Sequence, residues 1–162
     1  VLCKELGVPF IYTVISGIYS GDRTDNNVIY YTINSLLKQE RPVYTKLEQL
    51  WDYVHIDDVV LGFRLIIEKG KENSFYTLGH GDNWPLKQYI YKIRDNIEPS
   101  LSLGIGEIPY TDGKMPCSCV DLTKINEDTG FSPEVSFEEG IKRVINEVVK
   151  RDHLIDAHED KL

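Results

Sequence analysis

The order of apolar segments along this 162-residue chain predicts an α/β fold built around parallel strands. Three observations carry that expectation. Residues 9–16, PFIYTVIS, are a continuous run of β-branched and aromatic residues without polar alternation, the pattern of a strand covered on both faces. A second such run, SFYTLG at residues 74–79, ends in the turn Gly79-His80-Gly81. Between and after them lie stretches whose apolar residues recur at helical spacing, and strands separated by helices pair in parallel through crossovers. The strands are too few to complete a doubly wound sheet, so the fold reads as one part of a larger α/β design.

Each element follows from a local signal. Residues 1–6 read as the last turns of a helix closed by Gly7. After the first strand, residues 17–26 form a Gly- and Asp-rich loop, the usual place for ligand contacts beyond the carboxyl end of a parallel strand. Val28, Ile29, Ile33, Leu36 and Leu37 then mark a helix, with Asn26 or Asn27 as its cap and Pro42 beyond its end. Residues 51–56 predict a short strand leading into a helix over residues 59–69. Trp84-Pro85 opens a further helix whose stripe is Leu86, Tyr89, Ile90, Ile93 and Ile97. Residues 105–110 predict a strand. Asp121 caps a short helix stopped by Gly130, and Ser136-Phe137-Glu138-Glu139 is a capping box ahead of Ile141, Val144, Ile145 and Val148. The charged residues after Lys150 predict a frayed tail.

Composition narrows the function. A net charge of -8 argues against non-specific nucleic-acid binding, which needs a clustered basic surface to replace phosphate counterions. The longest apolar stretch, residues 59–67, is broken by Arg64 and falls short of the roughly 20 residues that cross a bilayer, so no membrane partner is expected. Lys4 and Glu5 interrupt the start where a signal peptide would be apolar. Three cysteines, Cys3, Cys117 and Cys119, fit a reduced cytoplasm, with Cys117-Ser118-Cys119 too closely spaced for an ordinary structural disulfide. Half-buried thiols are the expectation; a metal or redox role needs His80 or another cysteine brought near by folding.

The stretch WDYVHIDDVVLGF, residues 51–63, groups His55, Asp57 and Asp58 as an active site would. At a strand-to-helix junction, however, Asp57 and Asp58 sit where carboxylates accept the first free helical N–H groups and face the positive end of the dipole, so both are read as caps. No G-x-S-x-G, H-E-x-x-H, paired C-x-x-C or G-x-G-x-x-G accompanies them. His80 reads as an exposed turn histidine, and Tyr30, Tyr31, Tyr89 and Tyr91 as packing residues.

Taken in order, four segments resemble the C-terminal half of the extended short-chain dehydrogenase/reductase family, the nucleotide-sugar epimerases, dehydratases and reductases. VLCKELGVPFIYTVISGIYSGDR is similar to the family's helix, strand and N-x-Y-G-P loop, and WDYVHIDDVV to its R-D-[FY]-V-[HY]-V-x-D-[VA] segment. FYTLGHGDNWPLKQYI resembles a following strand and helix, and VDLTKINEDTGFSPEVSFEEGIKRVI the family's D-x-x-K to G-W-x-P ending. The resemblance implies the C-terminal part of a Rossmann-type parallel sheet, to which residues 1–20 and 74–80 contribute, together with the small α/β substrate-binding domain and a tail at residues 151–162. It implies NAD or NADP as cofactor, held mainly by a dinucleotide-binding half that precedes the matched segments, and a homodimer in the full-length form.

By the same resemblance Ile15, Ser16 and Gly17 form the loop beside the nicotinamide and the sugar, with Tyr19 in the motif's tyrosine position. Asn27 opens the helix lining the substrate cleft, and Lys46, Gln49 and Lys114 are the polar candidates for the nucleotide diphosphate. Four positions depart from the family pattern: Val14 and Trp51 stand where arginine is common, Gly17 for asparagine and Ser20 for glycine. An indole supplies neither the charge nor the bidentate fork of a guanidinium. The implied function is substrate positioning in an NAD(P)-dependent nucleotide-sugar enzyme; the alternatives are a non-catalytic nucleotide- or partner-binding module on the same scaffold, and a small metalloprotein using Cys117, Cys119 and His80. The catalytic residues are expected outside these residues. The 162-residue polypeptide alone is therefore expected to leave NAD and NADP unchanged when mixed with nucleotide sugars, as followed by nicotinamide absorbance.

Overall fold

The computed structural model describes residues 2–21, 27–110 and 117–159, with side chains described as far as residue 151. In chain order the elements are α1 (Leu2–Glu5), β1 (Ile11–Ile15), β2 (Gly17–Tyr19), α2 (Val28–Leu37), β3 (Val43–Tyr44), β4 (Leu50–Trp51), β5 (Tyr53–His55), α3 (Ile56–Lys69), β6 (Ser74–Leu78), β7 (Trp84–Pro85), α4 (Leu86–Ile97), β8 (Gly104–Ile105), α5 (Thr123–Thr129) and α6 (Phe137–Glu159). They fall into two compact units. The first takes residues 1–18, 50–84 and 117–136; the second takes residues 19–49, 85–116 and 137–162.

In the first unit β1 and β6 pair in parallel, with Ile11 opposite Ser74 and Ile15 opposite Leu78. One face of this pair is packed: Tyr76 and Leu78 are fully buried in a cluster with Val54, Val59, Ile66, Ile125 and Phe131, against which Ile11 and Ile15 also pack. The other face is open. Tyr12 and Phe75 stack there with ring centroids 5.5 Å apart and are 59% and 49% exposed, with Val14 beside them at 41%. The run at residues 9–16 was expected to be covered on both faces; within the described residues β1 alternates instead, one side in the core and one side bare.

A carboxylate network ties α5 to this core. Tyr76 donates its hydroxyl to Asp128 at 3.0 Å, and Lys124 and Lys71 pair with the same carboxylate. These donors hold the Asp128 carboxyl well below the usual carboxylate range, chiefly through the hydrogen bond from Lys124. Gly130, in a left-handed conformation at φ 77°, ends α5 as its position in the sequence predicts.

The second unit is largely helical. Ile29, Ile33 and Leu36 of α2, Tyr89, Ile90 and Ile93 of α4, and Ile141, Val144 and Val148 of α6 form its buried interior. Phe137 joins them, edge-on to Tyr89 at 4.8 Å. The Asn27 side chain accepts the N–H groups of Ile29 and Tyr30 at 3.0 and 3.2 Å, which selects Asn27 from the two candidate caps. Tyr44 of β3 shares a 2.7 Å hydrogen bond with Thr32, and burial pushes the Tyr44 phenol up in pKa. β3 and β8 run parallel, with an Arg41–Glu107 ion pair at their flank.

Several expected boundaries shift for identifiable reasons. The strand expected at 51–56 is divided at Asp52 into β4 and β5, and α3 begins at Ile56. Beyond Ile105 the chain leaves β8 at Gly106, in a left-handed conformation at φ 87°, so of the strand expected over 105–110 only Ile105 is realised, paired with Gly104 in β8. The tail expected to fray after Lys150 continues α6 to Glu159. No helix among the described residues is long and apolar enough to cross a membrane.

Two predictions follow from the packing. Replacing Asp128 by asparagine removes the charge that Lys71, Lys124 and Tyr76 share. Because the folded carboxyl titrates below its ordinary value of 3.8, its stabilisation is present above that value and lost as the pH falls through the folded pKa. Denaturant unfolding between about pH 5 and pH 2 should therefore show a shallower acid loss in Asp128→Asn than in the parent. Asp58→Ala, discussed below, should lower unfolding stability by about 1.5–3 kcal/mol, since a buried charged acceptor of backbone N–H groups is removed.

Candidate functional site

Within the first unit, Ile15, Ser16 and Gly17, expected beside a cofactor, lie at the carboxyl end of β1, while Tyr19 falls in the second unit. Ile15 is the last residue of β1 and packs on the core cluster. The Ser16 N–H donates to Leu78 O at 2.9 Å, and the Gly17 N–H donates to Asp52 O at 3.1 Å, so the backbone continues from one strand pair to the next. Ser16 is buried, and its Oγ has no hydrogen-bond partner among the described residues. Gly17 is confined by aromatic rings: a Cβ there would lie 2.7 Å from the Tyr53 ring and 2.9 Å from Trp51 Nε1. The two departures noted in the sequence, Gly17 and Trp51, are therefore coupled, because the indole occupies the space a side chain at 17 would need.

Asp52 is the organising group of this end of the unit, and the sequence reading did not single it out. Its side chain is fully buried and accepts the N–H groups of His80 and Gly81 at 2.9 and 2.7 Å. That grip draws the Gly79–Gly81 turn so close that a Cβ on Gly79 would strike the Asp52 carboxylate and come within 3.0 Å of Ser16 Oγ. The available signal was the aspartate preceding an otherwise aromatic and apolar strand: an acid there needs donors, and a glycine turn supplies them. His80 is not the exposed turn residue expected; its side chain is 19% exposed and Nδ1 lies 3.0 Å from Asp82.

The group at residues 55–58 is structural, though its parts are distributed differently from the expectation. His55 is the N-cap of α3, its Nδ1 accepting the Asp57 N–H at 3.3 Å, while the Asp57 carboxylate faces the same nitrogen at 3.3 Å. Asp58 does not cap its own helix. It is 1% exposed and reaches the loop before α6, accepting the N–H groups of Glu134 and Val135 at 2.8 and 3.0 Å. The side chain of a residue in the first turn points away from the axis, so a buried loop can compete for the carboxylate. Among the described residues no cluster of three or more histidines, cysteines or acids is placed to hold a metal ion.

Within the second unit a cleft of about 420 Å³ opens at the start of α2. Asn27, Val28 and Tyr31 form one wall; Val43, Tyr44, Thr45 and Leu47 form the other. Tyr31 and Tyr44 meet edge to face at 5.6 Å. Leu47 takes a left-handed conformation at φ 51°, with its carbonyl accepting the Lys87 N–H at 3.0 Å, which turns the chain at the foot of the cleft. Lys46 lies exposed on this segment. Gln49 has a buried Oε1 without a hydrogen-bond partner among the described residues. Tyr19 is fully buried, its ring 5.2 Å from Phe137. Lys114 lies outside the described residues. The cleft thus presents aromatic edges and backbone groups, with an ammonium group on the same segment.

The fold, compared with solved structures, is that of Rossmann-type epimerases and dehydratases. The chain superposes on UDP-glucose 4-epimerase from Thermotoga maritima, solved with UDP-glucose, with a TM-score of 0.80 and 25% identity over 92% of this chain and 48% of that one. It also superposes on UDP-glucuronic acid 4-epimerase from Bacillus cereus, in complex with UDP-glucuronic acid and NAD, with a TM-score of 0.80 and 16% identity over 92% and 48%. In sequence, dTDP-glucose 4,6-dehydratase of Salmonella typhimurium is 26% identical over 149 residues, 88% of this chain and 41% of its own length. Residues 3–79 match the NAD dependent epimerase/dehydratase family. The chain spans a little under half the length of the curated relatives it matches.

The coupled packing at residue 17 gives a direct test. Gly17→Ala should lower the melting temperature, because the added methyl must displace the Tyr53 ring or the Trp51 indole, and Trp51→Ala in the same chain should recover part of the loss. Thermal unfolding of the two single variants and the double variant measures that coupling.

Proposed function

We propose that this chain is the substrate-binding portion of an NAD(P)-dependent nucleotide-sugar epimerase, dehydratase or reductase, holding the sugar nucleotide while hydride passes between a sugar carbon and nicotinamide. The cleft at the start of α2 carries this reading. Its tyrosine edges and the backbone of residues 43–47 suit a planar base, and Lys46 on the same segment suits the diphosphate. Gln49 Oε1, a buried acceptor without a donor among the described residues, suits a hydroxyl or amide of the ligand. We assign Asn27, Lys46 and Gln49 to the substrate on this basis, and Lys114 on the sequence resemblance alone.

For the cofactor side we assign Ile15, Ser16, Gly17 and Tyr19. Ser16 Oγ, buried and without a hydrogen-bond partner among the described residues, fits a polar group of the nicotinamide ring, while Ile15, Gly17 and Tyr19 are assigned on the sequence resemblance. When bound, NAD or NADP supplies the hydride chemistry; the groups of this chain orient the substrate and exclude water. The open face of β1 and β6, with Tyr12, Val14 and Phe75 exposed together, supports a further portion bearing the dinucleotide site, as does the chain's coverage of about half its relatives. A non-catalytic nucleotide-binding module is the second reading, favoured by Trp51 at the position where the family carries arginine.

Thermal-shift measurements of the full-length protein with UDP-, dTDP- and CDP-sugars, with and without NAD or NADP, test the proposal. Stabilisation by a sugar nucleotide and turnover with the cofactor support the enzyme; stabilisation without turnover supports the binding module. Replacing Lys46 and Lys114 together by alanine should weaken the sugar nucleotide about tenfold or more, the loss expected for a charge-assisted phosphate contact. Unaltered affinity in that variant would exclude these lysines from the diphosphate site.

A further inference from the structure

Cys117 and Cys119 are more exposed and more closely placed than the sequence spacing suggested. Both are exposed free thiols, and their sulfurs lie 3.0 Å apart. The backbone explains the approach. Ser118 forms a parallel bridge to Trp51, with its N–H donating to Leu50 O at 3.2 Å, and Val120 is held in both directions by the Asn83 side chain at 3.0 and 3.2 Å. In extended backbone alternate side chains share a face, so fixing Ser118 toward β4 turns both cysteines outward and together. The expectation of half-buried thiols is corrected accordingly.

We propose that Cys117 and Cys119 are a redox-modification site, closing a reversible intramolecular disulfide by exchange with a small-molecule disulfide such as oxidised glutathione. This inference stands apart from the assignment of substrate and cofactor. Cys119 is the sulfur that keeps its proton: its hydrogen bond with Cys117 and its partial burial, followed by the charges of Cys117 and Asp52, push it up to about 11. Both thiols are exposed, so the exchange can open at either sulfur; opened at Cys117, it takes two steps. The Cys117 thiolate displaces one glutathione thiolate from glutathione disulfide, leaving a mixed disulfide on Cys117. Cys119 then gives its proton to a departing glutathione, attacks the Cys117 sulfur and releases the second glutathione. Two thiols are oxidised to one disulfide, and two electrons and two protons pass to the two glutathione thiols.

The ring so formed strains the backbone that carries it. Residues i and i+2 of an extended strand have Cα atoms about 6.4–6.8 Å apart, at the upper end of the roughly 4.4–6.8 Å that disulfides span. Ring closure therefore shortens the segment, weakens the Ser118 bridge to Leu50 and Trp51, and leaves a bond that thiols readily reduce. The consequence reaches β4, whose Trp51 also packs against Gly17.

The test uses the full-length protein carrying Cys3→Ser, with oxidised glutathione as the oxidant. Both thiols of the pair are expected to be lost together to a thiol reagent, the mass to fall by two hydrogens with no glutathione retained, and dithiothreitol to restore the starting state. Tryptophan emission should change on oxidation and return on reduction. Cys117→Ser or Cys119→Ser in the same background should instead retain one glutathione and show no such reversible change in emission. Stable glutathione adducts on the unmutated pair would overturn the disulfide, and ring closure with unchanged emission would overturn its action on the bridge.

Discussion

Two buried carboxylates that accept backbone N–H groups hold the first unit in register. Asp52 grips the turn at His80 and Gly81, and Asp58 grips Glu134 and Val135, so one segment of chain fastens two others distant in sequence. Each carboxylate has left water for a dry site, a loss offset only where donors are already aimed at it. The donors are main-chain groups, which cannot swing away as side chains do. This explains why an acidic, histidine-bearing stretch that reads as an active site is a structural joint: its charges are spent on amides.

The same constraint shapes the end of β1. Gripping the Gly79–Gly81 turn brings β6 and its following residues against Ser16 and Asp52, leaving no space for a side chain at residue 79. On the neighbouring strand the Trp51 indole and the Tyr53 ring close over Gly17. Trp51, at a position where the sequence resemblance expects arginine, thus takes part in aromatic packing. The exposed stack of Tyr12 and Phe75 has a related origin, since β1 and β6 each turn alternate residues to the core and the rest outward.

Much of the architecture was legible because it rests on local periodicity. The stripes of α2, α4 and α6, the Asn27 cap and the Gly130 stop all appear where spacing and cap chemistry place them. The site was less legible. Asn27 and Tyr44 meet across the cleft of the second unit because α2 and β3 pack together, which no motif announces. The role of Asp52 has no local signature because its donors lie 28 and 29 residues away, and His80 departs from the usual water-facing place of a glycine-flanked histidine because Asp82 lies beside it.

The cysteine pair makes the division plain. Sequence spacing shows that Cys117 and Cys119 share a face if their segment is extended, but not that it is extended nor which way that face looks; the bridge from Ser118 to Leu50 and Trp51 decides both. What the chain determined by itself is what neighbours within a few residues can enforce: element type, most caps and the identity of the apolar faces. What only tertiary structure decided is the fate of each buried polar group, because a carboxylate, amide or thiol takes its role from whichever donor or acceptor the distant chain delivers to it.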